Sequence, residues 1–409
     1  MTPATPITGV LLRGILDSRA RPTVEADLSL GEVRGRGSCP VAIAPGRLER
    51  RRGLRTGGLG RLRDGPAARL LDDALTGYSP DGQAGLDARL RELDDRYELG
   101  ADVTLAVSLA YARASATVAG RSLRAWLTGL ASSAPGTPRL LVNAFSGGIH
   151  RTGAPDSFQQ VMAIPHAGSL IDDVHAALEI YGAVERGIAE GGGTPAISAS
   201  SGFLPGDRDV SWQLGTLRRA CPAEARATLG VDVAAEHLLA APGRYRFQGR
   251  EHASAGFGAL LLDLARAHGV EYVEDPFDPA DTAAWRAFLP AAREAGVTVV
   301  GDDLFASDAT RVRPGLADAV LLKPSQAGTV TATLDAARAA RDAGLLLVVS
   351  HRSGETEDTA MCDLAVAVGA EWIKVGGPRR GDRIAKYNQL IRLTEGIPPP
   401  EPLPIPGEP

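Results

Sequence analysis

The chain has 409 residues, a formal net charge of -5, and 44% hydrophobic and 23% charged residues, a balance that excludes a disordered or membrane-embedded protein and a general nucleic-acid binder. This length predicts two domains with a sizeable core. No run reaches the roughly 18 apolar residues of a membrane helix, Met1 to Val10 lacks a signal-peptide pattern, and Cys39, Cys221 and Cys362 show neither pairing nor metal spacing; a cytoplasmic protein in a reducing compartment, with no membrane partner, is expected.

In chain order, residues 1–125 read as a small α+β domain. Thr23 to Leu30 alternates like a half-exposed strand, and residues 66–97 and 100–118 carry helical periodicity. Between them runs a basic segment from Gly46 to Arg55, with Arg47, Arg50, Arg51, Arg52 and Arg55. From 126 to 395 short apolar strands alternate with amphipathic helices, the pattern of a parallel sheet or barrel. The predicted strands are 139–145, 158–164, 229–234, 270–275, 297–302, 319–323, 345–350 and 371–375, with helices such as 328–343 and 357–369 between them. Eight strands fit one closed α/β barrel. Residues 396–409 form a proline-rich tail, expected to be extended.

Three acids close predicted strands: Asp232, Glu274 and Asp302. Carboxylates converging on one barrel mouth repel unless a hard cation lies between them, and an all-oxygen set suits Mg2+. Lys323 and Lys374 also end strands, where a lysine is costly unless paired or at work. A second lysine and a divalent cation nearby are expected to lower the Lys323 pKa and free an amine as a base. The run Ser350-His351-Arg352-Ser353-Gly354-Glu355-Thr356-Glu357-Asp358-Thr359 follows the apolar strand 345–349. It reads as an anion site, with a forked donor in Arg352 and a hydroxyl in Ser353, before a helix with acids in its first turn.

That decapeptide resembles the signature of the enolase family. The likeness continues through Trp372-Ile373-Lys374-Val375-Gly376-Gly377 and Arg383-Ile384-Ala385-Lys386-Tyr387-Asn388, and less strongly through Asp17-Ser18-Arg19-Ala20-Arg21-Pro22-Thr23-Val24-Glu25. The resemblance implies an enolase-type (β/α)8 barrel with an N-terminal α+β capping domain, whose early strands and helices depart from strict alternation. It matches Asp232, Glu274 and Asp302 to the family's metal ligands, and His150 to an active-site histidine. It gives Lys323 the removal of an α-proton and Lys374 the neutralising of the enolised carboxylate, the lysine-plus-magnesium chemistry of the superfamily. His351, Arg352, Ser353, Gln159, Gln160 and Ser200 become substrate-binding residues. A homodimer is expected by analogy.

Against that pattern the chain departs at two positions. Housekeeping enolases carry two glutamates on the face opposite the base. Here Gln160 and Ser200 occupy those places, and neither donates a proton readily near neutral pH. The leading expectation is therefore a phosphorylated or phosphonylated carboxylate substrate, free or nucleotide-activated, enolised by changed chemistry of the carboxyphosphonoenolpyruvate synthase type. If the basic segment closes over the mouth, its arginines are expected to meet a second anionic group. Two alternatives are phosphopyruvate hydratase with an acid relocated to Asp207, Asp156 or His150, and a non-catalytic binding protein.

Overall fold

The computed structural model describes residues 5–42, 46–50, 53, 62–148, 157–223 and 226–395. The chain opens with an antiparallel meander of β1 (Ile7–Leu16), β2 (Pro22–Leu30) and β3 (Val33–Ser38). Helix Ala101–Val118 lies on the sheet, and close approach is possible because Gly35 and Gly37 have no side chain. A Cβ on Gly35 would stand 2.0 Å from the Ala110 carbonyl, and one on Gly37 2.4 Å from that of Ala106. β2 is more buried than its alternation predicts. It is the central strand, and Asp27 on it is roofed by Arg13 and Arg36 from the two neighbouring strands. The periodic stretch 66–97 divides into helices Pro66–Leu75 and Gly82–Tyr97. Gly77 and Gly82 adopt φ of 83° and 66° at the break, a region that side chains disfavour.

The second part is a closed barrel of β4 (Arg139–Ser146), β5 (Gln160–Ile164), β6 (Thr228–Asp232), β10 (Val270–Glu274), β11 (Thr298–Gly301), β12 (Ala319–Leu322), β13 (Leu346–Ser350) and β14 (Trp372–Lys374). A separate small sheet of β7 (Leu239–Ala241), β8 (Arg244–Phe247) and β9 (Arg250–Ala253) follows β6. All eight expected barrel strands are present. β5 runs antiparallel to both neighbours, whereas the others run parallel. This reversal has a consequence for the site. Seven strands deliver their last residues to one rim, and β5 delivers its first, Gln160, in register with Ser146 and Asp232. Below the rim, Leu141, Met162, Tyr272, Val300, Leu321, Val348 and Trp372 form their own apolar cluster. They sit one pleat below Glu274 and Lys374 and fill the barrel.

Helix Leu123–Ala131 spans the expected boundary at 125 and packs on helix Ala360–Ala367. The latter begins later than predicted, so Glu355, Glu357 and Asp358 precede the helix rather than occupying its first turn. They lie in a loop where Glu355 pairs with Lys386 and Asp358 with Arg113. Helix 328–343 shortens to Val330–Asp342, N-capped by the Thr329 side chain. The proline-rich tail lies outside the described residues. Among those described, no single helix is long and apolar enough to cross a membrane.

Candidate active site

The rim opens into a cleft of about 540 Å³, its solvent-filled mouth included. Its walls include Asp232, Asp302, Lys323, Lys374, Gln159, Gln160, Ser200, His351, Arg352 and Ser353. Ten of the twelve site residues expected from sequence therefore line one cleft. Glu274 does not line it but is held by Lys374, which does, and His150 lies outside the described residues. A separate apolar cavity between Leu105, Leu109, Val330 and Leu364 contains none of the rim lysines or metal-type acids.

The charged groups are interleaved. Lys374 Nζ donates to Asp232 Oδ2 at 2.8 Å and to the Glu274 oxygens at 2.8 and 2.9 Å. Lys323 Nζ pairs with Asp302 Oδ2. Burial, then the charge of Asp232, pushes the Glu274 carboxyl up to about 8. Burial and the neighbouring Asp302 push Asp303 up to about 7. Burial opposes the ammonium form of Lys323, but the Asp302 carboxylate outweighs it and the net shift is upward. Among the protein groups alone the carboxylate partner dominates, whereas the expected fall invoked a divalent cation as well. Among the described residues, the carboxylates whose oxygens meet within 4.8 Å are Asp275, Asp302 and Asp303, not the expected three. Both Asp275 oxygens are taken by the backbone N–H groups of Asp302 and Asp303, each at 2.9 Å. Asp275 thereby fixes the turn that presents Asp302.

The anion-type segment is held from behind. Arg383, fully buried, donates to the carbonyls of Arg352 and Ser353 at 3.0 Å and of Ala199 at 3.1 Å. Its guanidinium also donates to His351 Nδ1, which leaves the imidazole proton on Nε2. Burial and this guanidinium keep His351 well below its ordinary pKa, so the ring is neutral. Gly354 and Val41 exchange backbone hydrogen bonds of 2.8 and 2.6 Å, tying the segment to the N-terminal domain.

Residues 137–399 match the family described as "Enolase, C-terminal TIM barrel domain", and residues 7–127 match "Enolase, N-terminal domain". The chain belongs to the enolase family. It is 37% identical to the enolase of Pyrococcus furiosus over 415 residues, covering 96% of this chain and 95% of that one. It is 34% identical to the enolase of Tropheryma whipplei over 422 residues, covering 96% and 95%. With the enolase of Mycobacteroides abscessus it shares 36% over 405 residues, covering 94% and 93%. Fold and family together make it an enzyme of the enolase superfamily.

This enolase-family site also holds residues that the sequence reading missed. The basic segment does enter the mouth, but through its one acid. Glu49 accepts two hydrogen bonds from Arg352 Nη2, at 2.7 and 2.9 Å, and one from Gln326 at 3.2 Å. Arg47 instead pairs with Glu236 and Asp278. In this structure the Arg47 guanidinium is thus engaged by protein carboxylates, and its expected meeting with a second anionic group is untested. Arg51, Arg52 and Arg55 lie outside the described residues. Gln326, fully buried, also joins Ser307 and Asp302, at 2.6 and 3.3 Å. A lone acid inside a run of arginines was the available signal for Glu49. Asp303 and His237, which also line the cleft, had none beyond proximity to the metal-type acids.

Proposed function

We propose that this enzyme binds Mg2+ and a 2-phosphoglycerate-like acid, abstracts the α-proton with Lys323, and completes the reaction without the acid-assisted loss of hydroxide. The observation that carries this reading is the composition of the rim. Two lysines and three carboxylates converge around the rim, while β5 contributes the neutral Gln160. β5 and β12 stand four strands apart in the eight-membered ring, so Gln160 lies opposite Lys323.

By donor chemistry the set suits a hard dication: Asp232, Glu274 and Asp302 offer only oxygen, Lys374 bridges the first two, and burial followed by the Asp232 charge raises the Glu274 pKa. When bound, such an ion neutralises the charge of an enolised carboxylate. The protein's own groups do the rest. Lys374 adds positive charge beside that carboxylate. Arg352 and Ser353 receive the phosphoryl group, and Arg383 fixes the backbone that aims them. Lys323 must lose its proton to act, and engagement of Asp302 by a cation would remove the partner that now holds it charged.

Losing general-acid help typically removes about 10²–10⁴ in rate, so ordinary dehydration should be impaired. Among the proposed replacements for the missing acid, Asp207 is exposed and does not line the cleft; Asp156 and His150 lie outside the described residues. A reaction of the carboxyphosphonoenolpyruvate synthase type, which joins a nucleotide-activated phosphonoformate to a phosphoglycerate-type acid, is the specific form of this proposal. Mg2+-dependent exchange of the α-proton in deuterated water, present in the wild type and lost in Lys323→Ala, tests the assignment of the base.

A further inference from the structure

We infer that Gln160 and Ser200 form a neutral subsite for an anionic group on the β-carbon of the substrate, and that this group departs as its own anion. The inference rests on the proton-abstraction reading above and names the substrate class it leaves open. Ser200 is 1% exposed and Gln160 4%. Ser200 Oγ, Gln160 Oε1 and the neighbouring Gln159 Oε1 are buried, with no hydrogen-bond partner among the described residues. All three residues line the cleft. Buried polar atoms are rarely left unpaired, so their partner is expected on a ligand.

The Ser200 hydroxyl is not orphaned by looseness. Its backbone N–H donates to Ser198 Oγ at 3.1 Å, and Ser198 donates to Ser146 at 2.8 Å. The Ser200 carbonyl accepts from Gly377 N at 3.0 Å and from Asn143 Nδ2 at 3.4 Å. A Cβ on Gly376 would stand 2.7 Å from that carbonyl, so the loop packs against β14's exit as closely as glycine allows. A well-packed loop thus presents a hydroxyl with no partner among the described residues.

The chemistry of the pair selects the ligand. A serine hydroxyl and a carboxamide both donate hydrogen bonds, the amide after a half-turn about its terminal bond. Neither carries charge, so they accept an anion that two carboxylates in those places would repel. They cannot protonate a departing hydroxide, whose conjugate acid has a pKa of about 15.7. A phosphate ester that keeps one of its own protons departs as hydrogenphosphate, a far weaker base than hydroxide, and needs no acid from the protein. In the step, Lys323 takes the α-proton and the C–H electron pair becomes the second bond between Cα and Cβ. The Cβ–O bond breaks, and its electrons stay on the departing phosphate. With 3-phosphoglycerate the products are inorganic phosphate and the enol of pyruvate, which ketonises in water.

The test incubates the Mg2+-loaded enzyme with 3-phosphoglycerate in deuterated water and measures phosphate, pyruvate and α-proton exchange, with 2-phosphoglycerate in parallel. Phosphate and pyruvate should appear together, at least ~10²-fold faster than phosphoenolpyruvate forms from 2-phosphoglycerate. Gln160→Glu, nearly isosteric, should lower that ratio by ~10-fold or more by restoring a charge. Ser200→Ala, a smaller change, should slow phosphate release by ~10-fold through loss of a donor. Exchange on 2-phosphoglycerate without phosphate from 3-phosphoglycerate would overturn the subsite while leaving the role of Lys323 in place. Phosphate release unaltered in both variants would also overturn it. No exchange on either acid would overturn the underlying reading.

Discussion

Glu49 grips Arg352 through both carboxylate oxygens, at 2.7 and 2.9 Å, with the two side chains 9% and 5% exposed. The acid comes from the N-terminal domain and the guanidinium from the exit of β13. That carboxylate engages the guanidinium which the proposed function assigns to the phosphoryl group. Burial opposes both charges, but each partner sustains the other: Glu49 is held below and Arg352 above its ordinary pKa.

Glu49→Gln should therefore act in two directions. Removing one member of a buried pair typically costs about 3–5 kcal/mol, so the thermal midpoint should fall. The freed Arg352 should bind phosphoglycolate, which carries a phosphate and a carboxylate, ~10-fold more tightly than the wild type does. Thermal melts with and without phosphoglycolate, beside direct titration, check both. Equal affinity would mean that Glu49 does not compete for the site.

The two domains are joined by a second pair. Arg113 on helix Ala101–Val118 donates to both Asp358 oxygens, at 2.7 and 2.6 Å, and to the Arg36 carbonyl at 2.6 Å. Asp358 also receives the N–H groups of Ser38 and Ala360, at 3.1 and 2.8 Å. Arg113→Met should destabilise the protein by about 2 kcal/mol, below the fully buried range because the arginine is partly exposed. Denaturant midpoints at matched pH measure it.

Asp363 predicts a pH dependence away from the active site. Burial pushes its carboxyl from 3.8 up to about 6, against the hydrogen bond from Gln389. Between those values the folded protein keeps a proton that the unfolded chain has released. Stability from this group therefore falls as pH rises through that window and stays reduced above it. Asp363→Asn removes the titration. Its stability relative to the wild type should grow by about 2.4 kcal/mol between pH 4 and pH 8. Denaturation at both pH values reads the difference; a constant offset would contradict it.

The barrel was legible because each strand is a short apolar run ending in a chemically distinctive residue, as in Ala319–Leu322 before Lys323. The reversal of β5 was not, since an apolar strand reads alike in both directions. Only the family resemblance announced that early irregularity. The fully buried Arg383 belonged to a quoted motif, but periodicity gave no sign that it clamps the loops at 199 and 352–353. Glu49 escaped because its role depends on a contact across 303 positions of sequence. The upward shift of Lys323 escaped for a similar reason: its sign depends on which charge stands nearest, a matter of distance rather than composition.

The central claim is that proton abstraction survives while hydroxide loss does not. Proton NMR of 2-phosphoglycerate with the Mg2+-loaded enzyme in deuterated water, beside Lys323→Ala, addresses it directly. The account predicts loss of the α-proton signal in the wild type alone, with exchange at least ~10²-fold faster than phosphoenolpyruvate formation. Phosphoenolpyruvate forming as fast as the α-proton exchanges would contradict it and show that the cleft supplies an acid after all.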